Sequence, residues 1–121
     1  MTDPKKNTST IKVRRPARHQ VNKDDQFVHF LEISEIEKLI LGAEDVTLGR
    51  GLDNTVILPF KDVSRLHARI YPKNDLFILE DCGSTNGVFV NGEQATVRAL
   101  SPNDKIEIGS VIIFFRRDRK K

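Results

Sequence analysis

Residues 68–92 read ARIYPKNDLFILEDCGSTNGVFVNG, which is three short runs of β-branched, aromatic and aliphatic residues with turn-forming residues between them. Pro72-Lys73-Asn74-Asp75 separates the first two runs, and Asn86-Gly87 and Asn91-Gly92 flank the third. Asn-Gly readily adopts the positive φ angles that tight turns require. The stretch therefore predicts three strands, at Ala68–Tyr71, Phe77–Asp81 and Val88–Val90.

The same pattern of short apolar runs and turn residues continues on both sides of this stretch. No segment longer than a turn or two has a helical period, although residues 34–39 could form a turn. Further strands are predicted at Val28–Ile33, Lys38–Leu41, Val46–Gly49, Thr55–Ile57, Lys105–Ile108 and Val111–Phe115. Short strands at this spacing are typical of an all-β sandwich.

The period-2 pattern of these strands predicts which side chains form the core. The expected core residues are Phe30, Leu41, Leu48, Ile57, Ala68, Ile70, Leu79, Val90, Leu100, Ile106, Ile108, Val111 and Ile113. Residues 112–115 are all apolar, so alternation specifies the register of the last strand only weakly. One face of that strand is expected to be covered by something outside this chain segment.

Charge is distributed unevenly over the 121 residues, whose formal net charge is +3. Residues 1–26 and 116–121 each carry four more cations than anions, so residues 27–115 carry a net charge of −5. Residues 1–26 also contain almost no apolar side chains, which predicts a disordered basic tail. We expect one folded domain over residues 27–115, and a basic C-terminal extension or linker over 116–121. Broad nucleic-acid binding by the acidic domain is not expected.

Composition alone argues against a membrane span, secretion, a disulfide and a zinc site. No apolar run is long enough to span a membrane, and the first residues lack the apolar core of a signal peptide, so we expect a cytoplasmic protein without a membrane span. Cys82 is the single cysteine and the chain has three histidines. Neither an internal disulfide nor a Cys/His zinc site can be assembled, so no metal site is expected.

Three loop segments carry the functional signal: Gly49-Arg50-Gly51, Ser64-Arg65-Leu66-His67-Ala68 and Gly83-Ser84-Thr85-Asn86-Gly87. Asn54-Thr55-Val56-Ile57-Leu58 lies between the first two, and Asp104-Lys105-Ile106-Glu107-Ile108-Gly109 follows the third. In this order they closely resemble the forkhead-associated (FHA) domain, from about Val28 to Phe115. The resemblance implies a β-sandwich of two mostly antiparallel sheets, whose loops at one end bind phosphothreonine in a partner.

The resemblance also implies a role for each loop residue. Arg50 gives guanidinium hydrogen bonds to a phosphate oxygen, and Ser64 and Thr85 donate hydroxyl hydrogen bonds to the same group. Arg65 adds charge or contacts the ligand main chain, and Asn86 hydrogen-bonds the peptide beside the phosphothreonine. The residue types agree with this, because an anion site on an acidic domain must be built locally from an arginine fork, hydroxyls and backbone N–H groups.

A second group of residues is expected to tune or shape the site. Asp62 lies where the family often contacts a ligand residue C-terminal to the phosphothreonine, and its charge should disfavour acidic ligands. Ser84 and Asn91 are expected to order the loop that carries Thr85. Three further residues are implied to be architectural, the glycines by close or positive-φ backbone and the histidine by bracing neighbouring loops: Gly49, Gly87 and His67.

Other interpretations of these residues lead away from catalysis. Ser64 and Thr85 could simply cap their own turns. His67 as a general base for Ser64 lacks an oriented acid partner and a nucleophile elbow in the sequence. Gly49-Arg50-Gly51 lacks the third glycine and the helix of a nucleotide loop. We therefore expect neither an enzyme nor a cofactor.

Three functions remain open, and the first is favoured. It is a phosphothreonine-dependent binding module, which would suit the N-terminal sensor of a longer bacterial signalling protein. This function implies a Ser/Thr kinase that phosphorylates the partner. The second is a phosphate-independent dimerisation or scaffold domain, whose binding survives dephosphorylation. The third is nucleic-acid binding through the tails, which would depend strongly on salt.

The basic tail itself contains candidate phospho-acceptors, Thr8 and Thr10, between Lys6 and Lys12. Either could become a ligand for an FHA site in the same chain or in a neighbour. In the family the termini lie opposite the binding loops, so a tail measured from Gln26 must be nearly stretched to reach its own site. That estimate favours the site of a neighbouring molecule.

Overall fold

The computed structural model describes residues 11–14 and 26–120. Within these residues the chain forms twelve strands and no helix. The strands are β1 (Lys12–Val13), β2 (Phe27–Glu32), β3 (Lys38–Ile40), β4 (Val46–Gly49), β5 (Val56–Ile57), β6 (Ala68–Lys73), β7 (Leu76–Asp81), β8 (Val88–Val90), β9 (Glu93–Ala95), β10 (Val97–Ala99), β11 (Lys105–Ile108) and β12 (Val111–Arg119).

The strands form two six-stranded sheets. Sheet A has the order β1-β5-β4-β6-β7-β10, and sheet B has the order β3-β2-β12-β11-β8-β9. The pair β4–β5 is parallel, and the other pairs are antiparallel. The predicted β-sandwich of two mostly antiparallel sheets is therefore confirmed.

The β6–β7 turn shows how local chemistry sets the register. Asn74 and Asp75 have φ angles of 51° and 67°, which is the positive-φ pair of a two-residue hairpin loop. The turn is shorter than the four residues predicted, because β6 continues through Pro72. Proline is tolerated there because β4 begins at Val46, opposite Ile70, so β6 extends past its neighbour and needs no donor on that side.

The two sheets enclose one apolar core. All the side chains predicted to be buried are at most 8% exposed. Phe30 and Ile57, however, lie outside the central cluster. Phe30 faces away from the core because its neighbour Leu31 faces inward, and the Lys38 ammonium covers the Phe30 ring at 5.2 Å. Large core residues absent from the prediction are Leu31, Leu39, Leu58, Val63 and Phe115.

Two strands in the middle of the chain are missing from the sequence prediction. Strands β9 and β10 contain mostly polar or exposed residues, with Glu93 and Gln94 in the first and Arg98 in the second. They lack the apolar alternation that identifies a half-buried strand. They form because β8 and β7 offer backbone hydrogen-bonding partners, which is information from distant parts of the chain.

The C-terminal boundary also differs from the prediction. Strand β12 runs on through Arg119, and residues 116–119 pair with Phe27–Phe30 of β2. The basic residues belong to the strand because each finds a partner: Arg116 binds Glu32 at 2.7 Å, and the Arg117 guanidinium lies 4.2 Å from the centre of the Phe27 ring. The domain therefore includes residues that were predicted to be an extension or linker.

The N-terminal prediction is wrong for a short segment. Lys12–Val13 form β1, which adds an antiparallel strand to β5, whereas residues 1–26 were predicted to be disordered. Ile11 and Val13 are the reason, because both are partly buried against the core. Two apolar side chains, each beside a basic residue, are too short a pattern to signal a strand in the sequence.

Three connections lie at one end of the sandwich, which we call the loop end. They are residues 50–55 after β4, residues 58–67 before β6, and residues 82–87 between β7 and β8. The opposite end holds the β6–β7 turn, Gln26 and the end of β12. In the part of the chain that the structure describes, nothing helical is long and apolar enough to cross a membrane.

Candidate functional site

Ser64 joins the three connections at the loop end, because it lies in one of them and bonds a residue of each of the other two. Its carbonyl oxygen accepts a hydrogen bond from the backbone N–H of Arg50 at 2.9 Å. Its hydroxyl oxygen accepts one from the backbone N–H of Thr85 at 3.0 Å. Arg50 and Thr85, which are 35 positions apart in the sequence, are therefore held together through Ser64 in one hydrogen-bonded group.

The Arg50 side chain is exposed but anchored. Its Nε donates a hydrogen bond to the carbonyl oxygen of Val63 at 3.0 Å. Among the described residues, the two terminal Nη groups have no hydrogen-bond partner. A guanidinium held at Nε with free terminal groups can form a two-pronged contact with an anion.

The loop that carries Arg50 is closed by the buried side chain of Asn54. Its Nδ2 donates to the carbonyl oxygens of Gly51 at 2.8 Å and Arg65 at 2.7 Å. A side chain at Gly49 would overlap the carbonyl oxygen of Arg65, so only glycine fits there. Asn54 is 4% exposed, and although it begins the quoted segment Asn54-Thr55-Val56-Ile57-Leu58, sequence reasoning gave it no role.

His67 connects the loop of Ser64 to the loop of Thr85 from inside the protein, where it is fully buried. Its Nδ1 accepts a hydrogen bond from the backbone N–H of Ser64 at 3.0 Å. Its Nε2 lies 2.8 Å from the carbonyl oxygen of Gly87. Because one partner can only donate and the other can only accept, the imidazole is neutral with its proton on Nε2.

Ser84 shapes the loop of Thr85 without offering its hydroxyl oxygen to a ligand as a free acceptor. That oxygen accepts from the backbone N–H of Gly87 at 2.9 Å, and Asp81 accepts from the Ser84 N–H at 2.9 Å. Gly87 has a φ angle of 86° and lies tightly against Gln94. Both features agree with the loop-ordering and architectural roles predicted for Ser84 and Gly87.

The structure places Asp62 beside the site but turned toward sheet B. Its carbonyl oxygen accepts a hydrogen bond from Asn86 Nδ2 at 3.0 Å. Its side chain lies against the backbone of Gly109, where an added Cβ would come within 2.8 Å of the carboxyl carbon. Asp62 therefore contacts the loop of Asn86 through its backbone, while its carboxylate packs on the β11–β12 turn.

Asn91 does not order the loop of Thr85, contrary to the sequence prediction. Its Nδ2 donates to Asp104 at 2.8 Å, and its Oδ1 accepts from the Lys105 N–H at 2.9 Å. Gly87 precedes β8 and Asn91 follows it, so these partners lie at the end of β8 away from the loop of Thr85. With a φ angle of 53°, Asn91 instead shapes the β8–β9 turn and ties it to β11.

The charges near the loop end favour an anion locally. The three connections contain the cations Arg50, Lys61 and Arg65 against the carboxylates of Asp53 and Asp62, a net charge of +1 (3 − 2) on a domain that is acidic as a whole. Arg69 is not available to the site, because it binds Glu80 at 2.8 Å and Asp45 at 3.2 Å on the outer face of sheet A. The hydrogen bond to Glu80 holds the pKa of Arg69 above its ordinary value.

Cys82 follows β7 and is partly buried. Burial raises the pKa of its thiol above the ordinary value, so the reactive thiolate is disfavoured. Over residues 11–14 and 26–120, no three His, Cys, Asp or Glu side chains form a group that could hold a metal ion. The predicted phospho-acceptors Thr8 and Thr10 lie outside the described residues.

The chain is similar in sequence to proteins of one family. A family model described as the FHA domain matches residues 46–109. The FHA domain-containing protein FhaB of Mycolicibacterium smegmatis is 32% identical over 80 residues, which cover 65% of this chain and 52% of that protein. The oxoglutarate dehydrogenase inhibitor of Corynebacterium jeikeium is 33% identical over 84 residues, covering 69% of this chain and 58% of that protein. The chain thus spans little more than half the length of these relatives.

Solved structures extend the similarity to three dimensions. A structure described in terms of phosphothreonine-dependent FHA domain interactions aligns with a TM-score of 0.68 at 30% identity, covering 74% of this chain and 95% of that one. Mycobacterium tuberculosis EmbR, in complex with a low-affinity phosphopeptide, aligns with a TM-score of 0.71 at 29% identity, covering 78% of this chain and 25% of that one.

Proposed function

The chain belongs to the FHA family, and we propose that it binds phosphothreonine-containing segments of partner proteins at the loop end. One observation carries the proposal, namely that Ser64 ties the backbones of Arg50 and Thr85 together at 2.9 and 3.0 Å. An arginine fork, two hydroxyls and loop N–H groups in one small area form a donor set suited to a phosphate.

The donors of Arg50 and Ser64 are oriented by hydrogen bonds that their side chains already make. Because Arg50 Nε is bound to Val63, its terminal Nη groups are the ones left for phosphate oxygens. The Ser64 hydroxyl oxygen already accepts from the Thr85 N–H, so its own proton is available to donate to phosphate. The Thr85 hydroxyl supplies the third donor.

Two further residues complete the proposed peptide contacts. Asn86 donates its Nδ2 to Asp62, which leaves its Oδ1 free to accept a backbone N–H from the peptide. Arg65 is exposed and its carbonyl is fixed by Asn54, so its side chain supplies charge at the rim.

The decisive test is the substitution Arg50→Ala, measured on peptides selected from a phosphothreonine library with degenerate flanking positions. We expect the affinity for these peptides to fall by tenfold or more, because charge-assisted hydrogen bonds contribute about 1.5 to 3 kcal/mol each. Arg119→Ala is the matched control, since it removes the same charge at the opposite end of the sandwich. Equal affinities for wild-type protein and Arg50→Ala would reject the proposed site.

The same titration separates the alternative functions. Unphosphorylated peptides should not bind, and phosphoserine peptides should bind several-fold more weakly, since one buried methyl contributes about 0.8 kcal/mol. Association that survives dephosphorylation would indicate a phosphate-independent dimerisation or scaffold domain. Binding that is lost with the tails and falls steeply with salt would indicate a nucleic-acid-binding chain.

The proposed ligand also implies a cellular setting. Phosphothreonine requires a Ser/Thr kinase with access to the partner, which favours a cytoplasmic signalling role. Because the chain covers about half of its curated relatives, the activity of any longer protein is part of this proposal. The domain would act in it as the module that recognises the phosphorylated partner.

The N-terminal tail is a candidate ligand in cis, and strand β1 supports this. Lys12 pairs with Ile57, and Ile57 pairs with Gly49, which precedes Arg50. Adjacent strands are about 4.8 Å apart, so Lys12 lies about 10 Å across the sheet from Gly49. Because β1 runs antiparallel to β5, the chain before Lys12 leads toward the loop end.

The reach of the tail therefore starts at Lys12 and not at Gln26. Thr8 precedes Lys12 by four residues, which span up to about 14 Å, and Thr10 by two, which span about 7 Å. A phosphate on Thr8 has the reach to meet the extended Arg50 side chain of its own molecule. We infer that cis binding by phosphorylated Thr8 competes with partner phosphopeptides, in place of the neighbouring site that the estimate from Gln26 favours.

A further inference from the structure

Arg14 holds the tip of the loop that carries Arg50. Its Nη1 donates a hydrogen bond to the carbonyl oxygen of Leu52 at 3.0 Å. Leu52 lies two residues after Arg50, and its own side chain is 77% exposed. The contact joins a residue of the N-terminal segment to the phosphate-binding loop across 38 positions of sequence.

The rest of this loop is held at its base. The Gly51 N–H donates to Arg65 at 3.0 Å, and the Asn54 N–H donates to Gly51 at 3.3 Å. These bonds hold the two ends of the loop but do not hold its tip at Leu52, which lies between them. In the described part of the chain, the bond from Arg14 is the one hydrogen bond that the Leu52 carbonyl receives.

Arg14 is itself well placed to act as an anchor. Its backbone N–H donates to the Thr55 carbonyl at 2.7 Å, which fixes it beside the C-terminal end of the same loop. Ile11 and Val13, on the same segment, pack against the core. The segment is therefore attached to sheet A by backbone pairing and to the core by two side chains, while the Arg14 side chain reaches over the loop.

We propose that residues 11–14 act as a strap that holds the loop of Arg50 in its binding conformation, with Arg14 as the positioning residue. Arg14 does not contact the ligand. It acts by reducing the conformational freedom that Leu52 and its neighbours would otherwise lose on binding. The consequence for affinity rests on the proposed phosphopeptide function, whereas the effect on loop order does not.

A two-residue strand at a sheet edge opens more easily than the central strands. The strap therefore gives the segment before Ile11 a route to influence the site. Whatever pulls the strap, residues 11–14, away from β5 removes the Arg14 contact and loosens the Arg50 loop. Whatever keeps it docked maintains the loop in its binding conformation.

The test compares wild-type protein with Arg14→Ala, Arg14→Lys and the control Arg119→Ala, which removes one exposed arginine at the opposite end. The first measurement is amide hydrogen exchange of Gly51 and Asn54 by NMR, without ligand. The second is the affinity for a library-selected phosphothreonine peptide at low and high salt. Arg14→Lys keeps the charge and a donor that can reach the Leu52 carbonyl.

We expect Arg14→Ala to speed amide exchange at Gly51 and Asn54 several-fold. It should also lower the affinity for the peptide by about threefold to tenfold, which is the effect of one hydrogen bond. Arg14→Lys should restore most of both, and Arg119→Ala should change neither. Unchanged amide exchange in Arg14→Ala overturns the strap, even if the affinity for the peptide falls. A loss of affinity that disappears at high salt would then be a long-range charge effect of removing the arginine. If wild-type protein binds no phosphopeptide, the proposed function fails while the exchange measurement still tests the strap.

Discussion

At the scale of single residues, His67 shows how the loop end is built for rigidity. Its ring nitrogens are bound to the Ser64 N–H and the Gly87 carbonyl at 3.0 and 2.8 Å. A general base for Ser64 would have to bind the serine hydroxyl, but this imidazole uses both nitrogens on backbone groups. The geometry therefore assigns His67 to architecture, and its burial keeps the two loops in a constant relative position.

Asn54 gives a residue-scale prediction. Asn54→Ala should lower the free energy of unfolding by about 1 to 3 kcal/mol, because it removes two part-buried hydrogen bonds, to the carbonyls of Gly51 and Arg65. It should also weaken phosphopeptide binding, since the loop of Arg50 loses its closure. Urea unfolding followed by circular dichroism measures the first effect. Stability equal to that of wild-type protein would show that the amide is dispensable.

Asp62 gives a second prediction at this scale. If its carboxylate influences specificity, Asp62→Asn should strengthen binding of peptides with an acidic residue C-terminal to the phosphothreonine by about twofold to threefold. The effect should shrink at high ionic strength, because the carboxylate packs on Gly109 and acts over a distance. Titration of acidic, neutral and basic variants of one peptide measures this. An unchanged ranking would contradict the role proposed for Asp62.

At the scale of elements, the β2–β12 pair sets the true length of the domain. Residues Arg116–Arg119 continue the ladder opposite Phe27–Phe30. The guanidinium of Arg116 lies 4.4 Å from the ring centre of Phe114 while its Nε binds Glu32. Arginine stems and guanidinium planes cover aromatic rings well, so a basic sequence forms an ordered strand here.

Truncation tests this element. A chain ending at Phe115 should lose roughly 2 to 4 kcal/mol of unfolding free energy, because it loses several ladder hydrogen bonds and the cover over Phe27. A chain ending at Arg119 is the control and should stay close to the full-length protein. Denaturant unfolding of the three proteins gives the comparison. Equal midpoints for all three would mean that residues 116–119 add no stability.

At the scale of the whole molecule, the position of β1 decides how the tail relates to the site. Gln26, which immediately precedes β2, lies at the end of the domain opposite the loops. Its carbonyl oxygen accepts a hydrogen bond from the Lys120 N–H at 2.8 Å. Strand β1 instead runs antiparallel to β5, so Ile11 lies on the loop-end side of Lys12. Ile11 and Gln26 therefore lie toward opposite ends of the domain.

Phosphorylation of the tail gives the prediction at this scale. Protein with phosphothreonine at position 8 should remain monomeric, show shifted amide signals at Thr85 and Asn86, and bind partner peptides at least tenfold more weakly, because the tethered ligand has a high effective concentration. NMR and light scattering over a range of protein concentrations measure this. Arg50→Ala should remove the shifts. Concentration-dependent dimers would instead assign the tail to a neighbouring molecule.

The sequence alone determined the sandwich, because turn chemistry and period-2 alternation are local properties of the chain. It indicated the residues of the loop end through the resemblance of the ordered loop motifs to the FHA domain. Strands Val46–Gly49, Val88–Val90 and Lys105–Ile108 have the predicted bounds, and Arg50, Ser64 and Thr85 meet as their motifs indicate. Tertiary structure alone decided the docking of β1, the extension of β12 and the partners of Asn54 and Asn91. Those features depend on contacts between residues far apart in sequence, which no local pattern records.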